Sequence, residues 1–185
     1  MFQEISFGIL NLGVPEEEAR KEVERIMDEM EITPYRDRPT HALSGGQKKQ
    51  VSIADILIMK PEIVILDEPA AALDPKHTAL VNQAVNRMTG EGITVMMATH
   101  DVNYAMEWAD EVLVFQDGKV AAHGAPEQVF KDRKLLQETN LEQPAILQLF
   151  DSLKKKEILN EELPLPRSLG ALLQEIERLP SAGKV

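Results

Sequence analysis

Two adjacent carboxylates, Asp67 and Glu68, directly follow a short apolar run at residues 63–66. Pro61 precedes the run and Pro69 follows the acidic pair, a pattern typical of a parallel strand covered on both faces. The carboxyl ends of such strands are where α/β proteins bind ligands. There, one carboxylate can hold Mg²⁺ and the next can polarise a water for attack on a phosphoryl group. An isolated acidic pair is more often a solvated strand end, so the assignment needs further signals.

A loop with two adjacent glycines, Leu43-Ser44-Gly45-Gly46-Gln47, precedes an apolar-periodic segment at residues 51–59. The spacing predicts a helix, which Pro61 ends. Backbone N–H groups at a helix N-terminus point outward without a helical acceptor. The loop is therefore a second candidate site, suited to an anionic group.

The elements that position these residues follow one another closely along the chain. After the strand at 63–66, the pattern predicts a helix at 81–88, a turn at 90–92 and a second buried strand at 93–98. Strand, helix and strand with short connections form a parallel α/β unit. The fold class is therefore α/β.

Other segments have equally clear local signals. Residues 15–31 show the apolar spacing of an amphipathic helix, and residues 33–40, with two prolines and three charges, predict a loop. Asp117-Gly118 between two apolar runs predicts a hairpin. From about residue 126 onward the pattern is mostly helical.

The composition excludes several classes of protein. The 185 residues allow one domain with a small appendage, and 43% hydrophobic with 28% charged residues is enough to build a core. A net charge of −11 argues against a nucleic-acid partner. The chain has no cysteine, and no apolar run approaches the ~20 residues that span a bilayer. We expect a cytosolic, soluble protein that reaches a membrane only through a partner.

Four segments in this order closely resemble the nucleotide-binding subunit of ABC transporters. The signature motif matches residues 43–47, Walker B matches 63–68, the D-loop matches 71–74, and the switch histidine matches His100. The resemblance implies a partial P-loop NTPase (ABC ATPase) fold with three parts. They are a helical subdomain at 1–50, the second half of the ATPase core at 51–125, and a C-terminal helical extension at 126–185.

The resemblance also implies a role for each matching residue. Glu68 would orient or deprotonate the attacking water, Asp67 would bind Mg²⁺ through water, and His100 would contact the γ-phosphate. The signature residues would contact ATP held by the opposite subunit, and Asp74 would orient groups across the dimer interface; these signature residues are Ser44, Gly45, Gly46 and Gln47. The implied cofactors are ATP and Mg²⁺. The implied partners are a second ATPase subunit and a transmembrane subunit, at the cytoplasmic face of the plasma membrane.

The family's phosphate-binding motif, Gly-x-x-x-x-Gly-Lys-[Ser/Thr], does not occur in the sequence. Gly8 and Gly13 have the glycine spacing, but Val14-Pro15 stands where Lys and Ser/Thr must be. We therefore expect an N-terminally truncated subunit, with no ATPase activity in this chain alone. Sheet edges and apolar faces would be uncovered, so the isolated chain is expected to be poorly stable or to self-associate.

Residues 7–13 and 43–49 resemble the energy-coupling-factor group, which includes cobalt and nickel importers. The segments at 140–144 and 163–166 resemble the helical extension that these subunits use in dimerisation, although a generic amphipathic bundle explains them equally well. The metal would be cargo, and the four histidines lack the spacing of metal ligands.

Two other functions remain open on the sequence alone. DNA-repair and chromosome-organising ATPases share the signature, Walker B and D-loop, but they insert long heptad coiled coils that are absent here. A non-catalytic partner could instead supply residues 44–47 to ATP bound by a complete subunit. Copurification with a complete ATPase subunit and a transmembrane protein would favour this third function over a truncated subunit.

Overall fold

The computed structural model describes residues 1–71, 73–160 and 162–178. Ala72 of the predicted D-loop and the end of the C-terminal extension, residues 179–185, lie outside the described residues. The chain forms two compact units, residues 1–99 and 100–185. The three predicted segments stay a prediction; the first two α-helices pack on the third, which spans residues 45–57 and packs in turn on the fourth.

The described residues of the first unit form four α-helices and two strands. In chain order they are α1 (Phe2–Asn11), α2 (Glu16–Glu29), α3 (Gly45–Leu57), β1 (Ile63–Asp67), α4 (Pro75–Gly90) and β2 (Thr94–Ala98). The sequence pattern predicted all of them except α1. The predicted loop at 33–40 contains one short 3₁₀ turn, Thr33–Tyr35, and a second begins at its end, Thr40–Ala42.

β1 and β2 pair in parallel, from Ile63 opposite Thr94 to Asp67 opposite Ala98. This confirms the predicted parallel unit, because α4 returns the chain to the same end of the sheet. Val64 and Leu66 on β1 are buried, and α4 packs against β2. One face of the sheet therefore belongs to the core of this unit.

The other face of this sheet is exposed in the described residues. This agrees with the expectation of uncovered apolar faces, whereas the local pattern, which indicated a strand covered on both faces, was wrong. Ile63 is 59% exposed, Ile65 72% and Met96 53%. In the part of the chain that the structure describes, β1 and β2 form a sheet of two strands. A continuous apolar run has the same sequence pattern in a strand covered on both faces and in a strand with one exposed face. The local pattern therefore could not distinguish these two arrangements.

α1, α2 and α3 form the other part of the core. The buried side chains of α2 are Ala19, Val23, Ile26 and Met27, at the helical spacing that the sequence shows. Gln50 on α3 is buried, and its Nε2 donates to the Met30 carbonyl at 2.9 Å. This bond satisfies a carbonyl at the C-terminal end of α2 and joins the two helices.

α3 and α4 meet at the start of each helix. Asp74 caps α4: its carboxylate accepts from the His77 backbone N–H at 3.0 Å and lies 2.6 Å from His77 Nδ1. These backbone and side-chain hydrogen bonds from His77 lower the pKa of Asp74. The His77 ring in turn packs on Gly46, where a Cβ atom would lie 2.5 Å from His77 Cδ2. A side chain at position 46 would therefore force this ring to move.

The second unit contains a hairpin and five helices in its described residues. They are α5 (Val102–Trp108), β3 (Val112–Gln116), β4 (Lys119–Gly124), α6 (Pro126–Val129), α7 (Arg133–Glu138), α8 (Ala145–Lys155) and α9 (Leu169–Glu177). Asp117 and Gly118 both have positive φ, 49° and 74°, as a two-residue hairpin turn requires. The core includes Met106, Val114, Phe130, Leu147, Phe150 and Leu172. Both the hairpin and the helical pattern after residue 126 are confirmed.

None of the described helices is long and apolar enough to cross a lipid bilayer.

The bare sheet face predicts self-association of the isolated chain. Ile65→Glu places a charge in the middle of this face and should increase the monomer fraction, because exposed apolar strands pair with other chains. Sedimentation velocity across a concentration series measures the change. Ile158→Glu, at an isoleucine 44% exposed in the second unit, is the matched control and should leave the monomer fraction unchanged. Equal behaviour of the two variants would contradict the prediction.

The contact between Gly46 and His77 predicts a strong coupling of substitutions at these positions. Gly46→Ala should lower the free energy of unfolding by about 1–3 kcal/mol, because its methyl group meets the ring. His77→Ala removes the ring, so Gly46→Ala should cost much less in that background. Urea unfolding of the four proteins of the cycle measures the coupling energy. Gly45→Ala is the control, because its new Cβ meets no atom within 4 Å beyond its chain neighbours. An equal cost of Gly46→Ala with and without the His77 ring would contradict the prediction.

Candidate functional site

The glycine loop forms the start of α3, and two side chains fix its conformation. Ser44 Oγ accepts from the Gln47 N–H at 3.3 Å, and Gln47 Oε1 accepts from the Ser44 N–H at 2.9 Å. This reciprocal pair is a capping box. Ser44 and Gly45 are exposed, whereas Gly46 and Gln47 are half-buried. The exposed end of α3 therefore presents a hydroxyl and helix N-terminal amides to solvent, which suits an anion.

Glu68 has an unusual backbone conformation directly after β1. Its φ is +45°, in the left-handed region that non-glycine residues seldom adopt. Its N–H donates to the Ala98 carbonyl at 2.9 Å, and its Oε2 accepts from Thr99 Oγ1 at 3.1 Å. The side chain is half-buried, and these bonds hold it at the carboxyl end of both strands. Thr99 was absent from the predicted site residues.

Asp67 is the last residue of β1 and is exposed. It lies opposite Ala98 in the sheet, so the predicted acidic pair does stand at the carboxyl edge of the parallel strands. Carboxylate and hydroxyl oxygens are the donors that Mg²⁺ prefers, and Asp67, Glu68 and Thr99 supply such donors here. In the described part of the chain, no group of three or more His, Asp or Glu side chains is arranged to hold a metal by itself.

One side chain joins the glycine-loop helix to the acidic pair. Lys49 Nζ donates to three backbone carbonyls after β1: Glu68 at 2.8 Å, Pro69 at 3.1 Å and Ala71 at 2.9 Å. Sequence analysis missed this lysine. The Lys48-Lys49 pair after the glycine loop was visible, but nothing local indicated which lysine turns towards the strand end.

The predicted site residues fall in two parts of the chain. The first unit holds residues 44–47, Asp67, Glu68 and Asp74. Lys49 connects the glycine-loop helix to Glu68. His77 connects Gly46 to Asp74. His100 is exposed and is the first residue of the second unit. Asp101 follows it as the N-cap of α5. His77 is a second residue that sequence analysis missed, because only the folded chain brings it to Gly46.

Known proteins of one family are similar to this chain over most of its length. The family model described as ABC transporter matches residues 1–71. The energy-coupling factor transporter ATP-binding protein EcfA of Methanocaldococcus jannaschii is 38% identical over 95% of this chain and 61% of its own length. The cobalt import ATP-binding protein CbiO of Rhodobacter capsulatus is 40% identical over 95% of this chain and 63% of its own length.

A solved structure has the same fold. The structure of cbiO1 from Clostridium perfringens, titled as part of the ABC transporter complex cbiONQ, is 40% identical, with a TM-score of 0.63 over 81% of this chain and 60% of that one. The chain thus spans 61% of the length of EcfA and 63% of that of CbiO. The predicted partial ABC ATPase fold is confirmed, with helices and strands in the matching arrangement. Residues 1–71 thus carry a match to the ABC transporter family, and the chain is similar over nearly its whole length to ATP-binding proteins of that family.

Proposed function

We propose that this chain is part of the ATP-binding, ATP-hydrolysing subunit of an ABC importer whose cargo is cobalt or nickel. The observation that carries the proposal is the connection of a capped glycine loop to a strand-end carboxylate pair through Lys49. The names of the relatives, which include a cobalt import ATP-binding protein, support the choice of cargo.

Glu68 acts on the attacking water. Its Oε2 accepts from Thr99 Oγ1, which helps to orient the carboxylate at the strand end, and a carboxylate oriented in this way can accept a proton from a water molecule. Asp67 would hold Mg²⁺ through water at the exposed strand end. Bound Mg²⁺ would neutralise the charge that develops on the phosphate oxygens.

The loop at residues 44–47 binds the γ-phosphate of ATP held by an opposing subunit. Ser44 Oγ and the amides of Gly45 and Gly46 are the contacting groups, while Gln47 supports the loop through its cap. Asp74 orients groups across the interface between the two ATPase subunits, and His100 contacts the γ-phosphate. A transmembrane subunit at the cytoplasmic face of the membrane completes the assembly.

A second candidate function is a non-catalytic partner that supplies only the glycine loop. The specific observation in its favour is that the 185 residues include the signature loop but no Gly-x-x-x-x-Gly-Lys-[Ser/Thr] sequence. Without that lysine, this chain alone should show no measurable ATPase activity.

The test of binding in trans uses the chain mixed with a complete ATP-binding subunit from the same organism. MgATP should promote association of the two, and Ser44→Ala should weaken it about tenfold or more, because a hydrogen bond to a charged phosphate is lost. Analytical ultracentrifugation with and without MgATP measures the association. Ser168→Ala is the matched control: it removes the N-cap serine of α9 and should leave the association unchanged. Association that is independent of ATP, or equal loss in both variants, would contradict the proposal.

Glu68→Gln separates the two candidate functions in the same mixture. Loss of turnover in this variant means that the carboxylate of this chain acts on ATP, as the first proposal requires. Unchanged turnover together with Ser44-dependent association means that the chain supplies only its loop. A steady-state phosphate-release assay distinguishes the two outcomes.

A further inference from the structure

Lys49 is held in a way that surface lysines are not. An ammonium group has three N–H donors, and the three carbonyls of Glu68, Pro69 and Ala71 lie within 2.8–3.1 Å of Nζ. The side chain is half-buried, whereas Lys48, its neighbour on α3, is exposed. The charge of Lys49 is thus directed into the loop after β1 instead of into solvent.

The loop after β1 needs the hydrogen bonds from Lys49 because the backbone of Glu68 is strained. A non-glycine residue at φ +45° persists only where its surroundings hold it there. The Glu68 N–H is bound to Ala98 O, and the Glu68 carbonyl is bound to Lys49 Nζ. The peptide groups on both sides of the Glu68 Cα are therefore fixed, one by β2 and the other by α3. Together they set the direction in which the Glu68 side chain leaves the backbone, and Thr99 Oγ1 donates to the carboxylate at its end.

We propose that Lys49 is a positioning residue for Glu68. It fixes the backbone that aims the carboxylate at the reacting water, and it does so from the helix whose first turn carries the glycine loop. A displacement of α3 when residues 44–47 bind a phosphate group would therefore reach Glu68 through this ammonium. The inference rests on the proposed function for the role of Glu68, but the Lys49 contact itself does not.

Hydrogen exchange tests the contact in the 185-residue chain, without ATP or a partner. In Lys49→Met, which keeps most of the side-chain length but has no charge, the amides of Glu68, Ala70 and Ala71 should exchange about tenfold faster or more. Lys49→Arg should show a smaller increase, because a planar guanidinium meets three converging carbonyls less well. Lys48→Met is the matched control and should keep wild-type exchange rates at these amides.

Turnover in the mixture with the complete subunit tests positioning. Lys49→Met should lower kcat about 100-fold, the usual effect of misplacing a catalytic group by about 1 Å. The KM for ATP should stay within about twofold, and Lys49→Arg should recover part of kcat. A purely structural lysine would lower the amount of folded protein and leave the kcat of the folded fraction unchanged; circular dichroism melts provide that correction.

Wild-type exchange rates in Lys49→Met, or wild-type kcat in its folded fraction, would overturn the inference. If Lys49→Met does not fold, the same two measurements on Lys49→Arg decide. A wild-type mixture without turnover, or turnover that Glu68→Gln leaves unchanged, would refute the proposed function instead. In that case the exchange rates alone decide whether Lys49 fixes the Glu68 backbone.

Discussion

The left-handed backbone of Glu68 is the constraint on which the candidate site depends. A strand that ended in ordinary extended geometry would carry its next side chain to the opposite face of the sheet from Asp67. The φ of +45° turns the chain instead, and hydrogen bonds to Ala98 and from Lys49 hold the turn. The Lys49 ammonium group therefore joins helix α3 to the end of β1.

The same helix makes a second contact with the segment after β1. At its start, Gly46 leaves room for the His77 ring, and that ring bonds to the Asp74 carboxylate. The glycine loop, the acidic strand end and the start of α4 thus form one connected group of residues within the first unit. Each member is a predicted site residue or a direct neighbour of one.

Sequence patterns predicted the elements whose signal is local. Helical spacing of apolar residues located α2 and α4, continuous apolar runs located both parallel strands, and Asp117-Gly118 located the hairpin. α1 was missed because its ten residues begin at Phe2 and have no side-chain cap to mark the start. The motif order also located Asp67, Glu68 and residues 44–47 at the candidate site.

Contacts between distant residues could not be predicted in this way. Lys49 and Glu68 are 19 positions apart, and nothing in the sequence indicates which of two adjacent lysines turns inward. His77 and Thr99 were missed for the same reason. The local pattern indicated that both faces of β1 are buried, because the hydrophobicity of Ile63 and Ile65 reports what a strand can bury and not what is present to cover it. The expectation of an uncovered face came instead from the missing phosphate-binding motif.

The capping box of α3 has a consequence for ligand affinity. Ser44 and Gln47 hold the glycine loop in its helical conformation through bonds within the chain itself. The conformational entropy of this loop is therefore lost when the protein folds and not when an anion arrives. The binding site at this end of α3 is preorganised. The binding free energy of a phosphate group is therefore not reduced by the cost of ordering the glycine loop.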